Sequence, residues 1–184
     1  MRCVALFWAS ALLALAGCQP RASIPQGVQV FFSPHGGATE AAVSALAQAT
    51  NSVLVQAYSF TSAPLAQALV AAQRRGVSVQ VILDRSQRTE KYSEADFLSH
   101  NEISTLIDDR HAIAHNKIMI IDGYVILTGS FNFTKAAEEK NAENLLIIND
   151  PVLAKTYLEN WHNHEQHSET YLRPTPVSSQ NDAR

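Results

Sequence analysis

Strands and helices alternate along this sequence, and that alternation limits what the chain can fold into. The stretch "VQVFFSP", starting at Val28, has the β-branched and aromatic content of a strand and is closed by Pro34 and the Gly36-Gly37 turn. "ATEAAVSALAQAT" is alanine-rich, with apolar residues at helical spacing. "SVLVQAYSF" reads as a strand. A helix then starts near Ser62 and Pro64, and "PLAQALVAAQRRG" runs to a stop at Gly76. "VSVQVILD" is a largely buried strand, followed by the polar loop "RSQRTEKYSE", a helix around Ala95 to His100 and a short strand "ISTLI". "KIMIID" and "YVILTG" form a hairpin about Asp122-Gly123. "NLLIIND" adds a strand, and Asp150-Pro151 opens a last helix, "PVLAKTYLENWHNHEQH". Alternating elements followed by a hairpin imply an α/β fold, an α-β-α sandwich around a mixed β-sheet. No internal repeat is visible.

The 184 residues suit one domain, and 46% hydrophobic against 17% charged content excludes a disordered chain. A net charge of −3 excludes a global basic field, so any anionic substrate has to be attracted locally.

The first twenty residues, "MRCVALFWASALLALAGCQP", carry one positive charge at Arg2, an apolar run short for a bilayer, and then small residues. This pattern is a secretory signal over residues 1–17. Leu15-Ala16-Gly17-Cys18 resembles the bacterial lipobox, which implies cleavage before Cys18, lipidation of that cysteine and attachment to a membrane in the periplasm. Gln19 favours the outer membrane; the alternative is an ordinary cleaved signal and a soluble periplasmic or secreted protein. Cys3 leaves with the signal, so the mature chain has one cysteine and no internal disulfide. Residues 18–27 form a polar tether, and residues 168–184 are expected to be a flexible tail.

The chemistry concentrates in "HNKIMIIDGYVILTGSFNF", from His115 to Phe133. Two residues apart on an extended chain, His115 and Lys117 point the same way. An imidazole titrates near neutrality and can act as nucleophile or proton donor, while an ammonium can neutralise oxygens that gain charge. Ser130 and Asn132, also two apart, offer hydroxyl and amide donors. Taken singly, each has a bland reading: a core histidine, an edge-strand lysine, turn residues. Together, and with Glu143 downstream, they read as a site.

His115, Lys117, Asp122, Gly129, Ser130 and Asn132 fill the pattern H-x-K-x4-D followed by G-S-x-N, and here the chain resembles the phospholipase D superfamily. "GSFNFTKAAEEKNAEN" and "AYSFTSAPLAQALVAAQRRGVSVQVILD" resemble its single-motif Nuc-type endonucleases in particular. The resemblance implies a phospholipase D-like phosphodiesterase domain over residues 28–167. It implies His115 as a nucleophile that forms a phosphohistidine, Lys117, Ser130 and Asn132 around the phosphate, and Glu143 holding one ring nitrogen of His115. Asp122 and Gly129 are then structural, Asp122 bonding backbone near the site. No cofactor or metal is implied.

One imidazole cannot attack and protonate at once, and this chain carries one motif where larger relatives carry two. The expectation is a homodimer sharing one site about a two-fold axis. The substrate expected first is DNA, with RNA possible. The alternatives are membrane phospholipid, cleaved or transferred by phospholipase D or phosphatidyl transferase chemistry, and a catalytically inactive nucleic-acid-binding module. His35, beside two glycines, reads as a surface loop able to line the cleft. Arg85, Arg88 and Lys91 are candidate substrate contacts, and Arg74 and Arg75 are helix caps. Tyr58-Ser59-Phe60 either shapes the pocket or packs in the core. His164 and His167, three apart, could share a metal, but with no cysteine or carboxylate motif beside them they read as a solvated helix end.

Overall fold

A computed structural model describes residues 27–172. The signal, Cys18, the tether through residue 26 and the tail from 173 lie outside the described residues. Eight strands form one mixed sheet in the order β1-β7-β6-β5-β2-β3-β4-β8. They are β1 (Val28–Ser33), β2 (Ser52–Ala57), β3 (Ser78–Asp84), β4 (Ser104–Asp108), β5 (Lys117–Ile121), β6 (Val125–Gly129), β7 (Glu143–Asn149) and β8 (Glu169–Thr170). Strands β2, β3 and β4 run parallel and every other pairing is antiparallel. The helices are α1 (Ala38–Ala47), α2 (Ala63–Arg74), α3 (Ala95–His100), α4 (Lys135–Glu139) and α5 (Pro151–Glu165).

Side-chain alternation along β2 divides the core into two layers. Val53, Val55 and Ala57 face a large cluster with Leu46 of α1 and Leu65 and Leu69 of α2. Leu54 faces the other way, onto a smaller cluster with Ile82, Ile120, Ile126 and Trp161 of α5. The expected sandwich is therefore present, with α5 filling one layer. Trp161 is fully buried, and its Nε1 donates to the Val55 carbonyl at 3.0 Å.

Helix ends follow local chemistry. The Asp150 carboxylate accepts from the N–H groups of Val152 and Leu153, with Pro151 in the first turn of α5. Gly37 precedes α1 with φ of 78° and has no capping side chain; Glu138 of α4 substitutes, accepting from the N–H groups of Gly37 and Thr39. Arg75 does cap a helix end, but not its own: its guanidinium donates to the Leu46 and Ala49 carbonyls at the end of α1.

Two expectations need correction. The polar loop after β3 opens with a 3-10 turn over Arg85–Arg88, nucleated when the Asp84 carboxylate accepts from the Ser86 N–H. The tail does not begin at residue 168. Glu169–Thr170 pair with β4, Tyr171 is buried, and its N–H donates to the Thr105 carbonyl at 2.8 Å. A two-residue strand is too short to show alternation, so composition alone concealed it.

Candidate active site

Strand direction gathers the motif along one edge formed by the strand ends, not at an edge strand. Because β5 is antiparallel to β2, its first residue, Lys117, lies beside the last residue of β2, Ala57. The end of β6 at Gly129 and the start of β7 at Glu143 return to that same edge. So does the end of β1, where Ser33 pairs with Glu143, bringing the His35 loop alongside. The carboxyl ends of the parallel strands β2, β3 and β4 also lie here, where open α/β sheets place their ligands.

His115 is exposed, just before β5. Its ring lies 4.6 Å from that of Tyr58, centroid to centroid, and Lys117 Nζ sits 5.0 Å over the same Tyr58 ring. Tyr58 thus belongs to the site rather than to the core. Lys117 is only 6% exposed, and its Nζ donates to the His115 carbonyl at 2.8 Å. Burial pushes this ammonium below the ordinary lysine range, against the Glu143 carboxylate, which pulls it up. The approach to His115 is pinned from both sides. The buried Asp84 carboxylate accepts from the Ala114 N–H at 2.7 Å, and the Tyr58 N–H donates to the Asn116 carbonyl at 2.9 Å. Sequence reasoning passed over Asp84, which reads simply as the end of a strand.

The segment Ser130 to Phe133 crosses the end of β2: Phe133 bridges Phe60, and the two rings meet edge-on. Among the described residues Asn132 Oδ1 is buried without a hydrogen-bond partner, and Ser130 Oγ accepts from the Asn144 N–H at 3.1 Å. Gly129 has φ of 150°, and a Cβ there would stand 2.1 Å from the Asn144 carbonyl oxygen, so only glycine fits.

Other expected residues are placed differently. Among the described residues no hydrogen bond joins Glu143 to the His115 ring. Glu143 is two strands from β5, about 9–10 Å across the sheet, and its carboxylate accepts from Asn141 Nδ2 and acts on Lys117. Asp122 bonds backbone, but not near the site. It lies at the far end of β5, about 17 Å from Lys117 at strand rise. There it accepts from the N–H groups of Thr50, Asn51 and Ser52 and from the Thr50 hydroxyl. Those amide bonds hold its carboxyl below the ordinary range although burial alone would raise it. Arg88 is already paired, its Nη2 2.8 Å from Glu169 Oε2, and Lys91 sits over the Tyr92 ring. Arg85 is exposed, and His35 is exposed with φ of 58°.

His164 and His167 do not form a solvated helix end. They are 15% and 18% exposed and converge with His111 on Asp108, which is fully buried at the end of β4. Burial alone would raise the Asp108 carboxyl, but the three imidazoles gathered on it, His164 and His111 by hydrogen bonds and His167 by its approach, outweigh burial and bring the group down to about 2. The sequence signal was the D-x-x-H spacing of "DDRH", seen only when set against "HNHEQH".

Residues 42–164 match the family model described as "Cardiolipin synthase, PLD-like domain". The chain belongs to the phospholipase D superfamily. A "Phospholipase D" of Rickettsia conorii is 44% identical over 136 residues, covering 74% of this chain and 68% of that protein. The solved structure of Nuc from Salmonella typhimurium, a phospholipase D family member, superposes with a TM-score of 0.75 at 41% identity. It covers 78% of this chain and 97% of that one. A "Mitochondrial cardiolipin hydrolase" of Xenopus laevis is 37% identical over 100 residues, 54% of this chain and 48% of that one. The superfamily pattern thus sits on a superfamily fold, with the H-x-K pair and the G-S-x-N segment at one sheet edge and the pattern's aspartate at the other.

Proposed function

We propose that the protein is a metal-independent phosphodiesterase, an endonuclease acting on DNA and, with less preference, RNA. The observation that carries this reading is the His115–Lys117–Tyr58 grouping at the ends of the central strands β5 and β2, an exposed imidazole backed by a buried ammonium. In the first step one ring nitrogen of His115 bonds to phosphorus. The P–O bond to the leaving alcohol breaks, and the alkoxide takes a proton from the imidazolium of His115 of the partner subunit. In the second step that imidazole removes a proton from water, the water oxygen bonds to phosphorus, and the P–N bond to His115 breaks. Lys117 and the Asn132 amide stabilise the charge gained by the non-bridging oxygens. Ser130 and Asn132 position the phosphate, and Glu143 keeps Lys117 charged.

A single copy offers one such imidazole, so the working enzyme is a homodimer. Ile113, 57% exposed two residues before His115, and Phe32, 67% exposed beside the Ser33–Glu143 edge, are apolar groups that a second copy would cover. Nucleic acid is favoured by the likeness to Nuc, whose whole length this chain nearly spans. The second reading, a phospholipase D acting on membrane lipid, is favoured by the 44%-identical rickettsial protein of that name and by the lipobox-like Cys18, which would hold the enzyme at a periplasmic membrane.

The test incubates the purified protein with plasmid DNA and, separately, with phosphatidylcholine vesicles, both in chelator and well below its unfolding transition. DNA cleavage without choline release supports the nuclease; the reverse supports the lipase and removes the first reading. His115→Asn is expected to abolish turnover and the acid-labile phosphoenzyme. Retained turnover, or full activity in a monomer at assay concentration, would overturn the mechanism.

A further inference from the structure

Four side chains outside the phosphodiesterase grouping converge from three parts of the fold: Asp108 at the end of β4, His111 in the loop after it, and His164 and His167 at the end of α5. One donor atom from each lies within 4.8 Å of all the others. Around Asp108 Oδ2, His164 Nδ1 stands at 2.7 Å, His111 Nδ1 at 3.0 Å and His167 Nε2 at 3.4 Å. The three imidazole centroids form a near-equilateral triangle with sides of 4.9, 5.2 and 5.4 Å.

We propose that Asp108, His111, His164 and His167 form a zinc site that fastens α5 and the loop leading to His115 onto the end of β4.

The donor set decides the metal class. Three imidazole nitrogens and one carboxylate oxygen, with no thiolate, suit a borderline divalent ion of the zinc type rather than calcium or magnesium, which take oxygen ligands. A tetrahedral zinc with bonds of about 2.0–2.1 Å spaces its ligand atoms about 3.3 Å apart. The observed approaches of 2.7–3.4 Å to the carboxylate oxygen bracket that spacing. Four protein ligands close the coordination sphere, which marks a structural site with no open position for substrate.

The surroundings fit. Asp108 Oδ1 accepts from the Arg110 N–H at 3.2 Å and lies 3.1 Å from His111 Nδ1, while Oδ2 faces all three histidines. His167 Nε2 is buried 3.4 Å from Asp108 Oδ2 and makes no well-formed hydrogen bond among the described residues, so one imidazole nitrogen faces the centre unsatisfied. A network of ion pairs alone would have to crowd three rings onto one carboxylate oxygen; a dication among them gives each nitrogen a lone-pair partner and offsets the buried charge. His111, 46% exposed, leaves a path for entry. The site is distinct from the phosphodiesterase grouping: β4 lies three strands from β5, about 14 Å away. It takes no part in the phosphate chemistry and stands whether or not that chemistry is as proposed.

The experiment uses the whole protein, purified without a polyhistidine tag and stripped with chelator, then titrated with Zn²⁺ or Co²⁺ alone. The expected result is one Zn²⁺ per chain after gel filtration. With free zinc about a hundredfold above Kd, the unfolding temperature should rise by about 5–10 °C, reversed by chelator. Co²⁺ should give the intense visible bands of tetrahedral coordination. His111→Gln, at an exposed position that does not endanger folding, and His164→Gln are each expected to weaken zinc binding ~100-fold or more. His162→Gln and His115→Asn are expected to bind as the wild type does. Substoichiometric binding, no thermal shift, or equal binding by His111→Gln and His164→Gln would overturn the proposal and leave an ion-pair network.

Discussion

Asp122 belongs to the superfamily pattern, yet its place in the fold assigns it to stability. Replacing it with Ala removes the acceptor from three backbone N–H groups at 2.7–2.9 Å and from the Thr50 hydroxyl. These groups are partly wetted, so water replaces part of what is lost and each bond is worth about 0.5–1.5 kcal/mol net. The residue also sits at φ of 53°, where Asp is tolerated and Ala disfavoured by about 1 kcal/mol. The expected loss is about 3–5 kcal/mol for Asp122→Ala. Asp122→Asn keeps the backbone tolerance and one acceptor oxygen, and should lose about 1–2 kcal/mol. Urea unfolding followed by Trp161 fluorescence should show a lower midpoint with an unchanged slope. Turnover per folded molecule should match the wild type. The folded-state pKa of Asp122 is depressed, so its contribution is fully present above the unfolded value near 3.8 and disappears as pH falls through the lower folded value. The variants should therefore lose less stability than the wild type over that acid range. An Asn variant with wild-type unfolding but a hundredfold loss of turnover would refute the reasoning.

Gly129→Ala forces a methyl group to 2.1 Å from the Asn144 carbonyl in a backbone conformation alien to alanine, and is expected to lose about 3 kcal/mol or more by the same urea assay. Lys117→Met removes a buried ammonium; turnover should fall ~10²–10³-fold while the unfolding midpoint holds or rises. Because burial lowers the Lys117 pKa, its charge is lost at a pH below 10.5, and the wild-type kcat/KM profile should show an alkaline limb beneath that value which the Met variant lacks. Tyr171→Ala should lose about 2–4 kcal/mol, because Tyr171 packs against the core at the β8 edge; an unchanged midpoint would restore the flexible tail.

What the sequence disclosed follows from range. Strands with strong β-branched runs, such as "VSVQVILD", and helices with local start signals, such as Asp150-Pro151, were legible because their determinants are neighbours in the chain. The H-x-K pair was legible for the same reason, since both residues lie within three positions of one another in the chain. Groupings assembled by topology were hidden. Glu143 was assigned to His115 by pattern, whereas the strand order β7-β6-β5 sets it two strands away. Arg88 read as free for substrate because its partner Glu169 is 81 positions later. Asp108 and His164 are 56 positions apart, and only the parallel β4 joined to the return of α5 brings them together.

Strand β5 starts with the ammonium beside the exposed imidazole and leads at its other end into the carboxylate that ties down the Thr50–Ser52 turn. A genetic screen for lost function would score both ends of this strand alike, as indispensable, and so would invite reading Asp122 as a reagent. Only a phenotype that separates protein abundance from turnover, such as recovery of the Asp122 variants at low growth temperature with no recovery at Lys117, would tell the anchor from the tool.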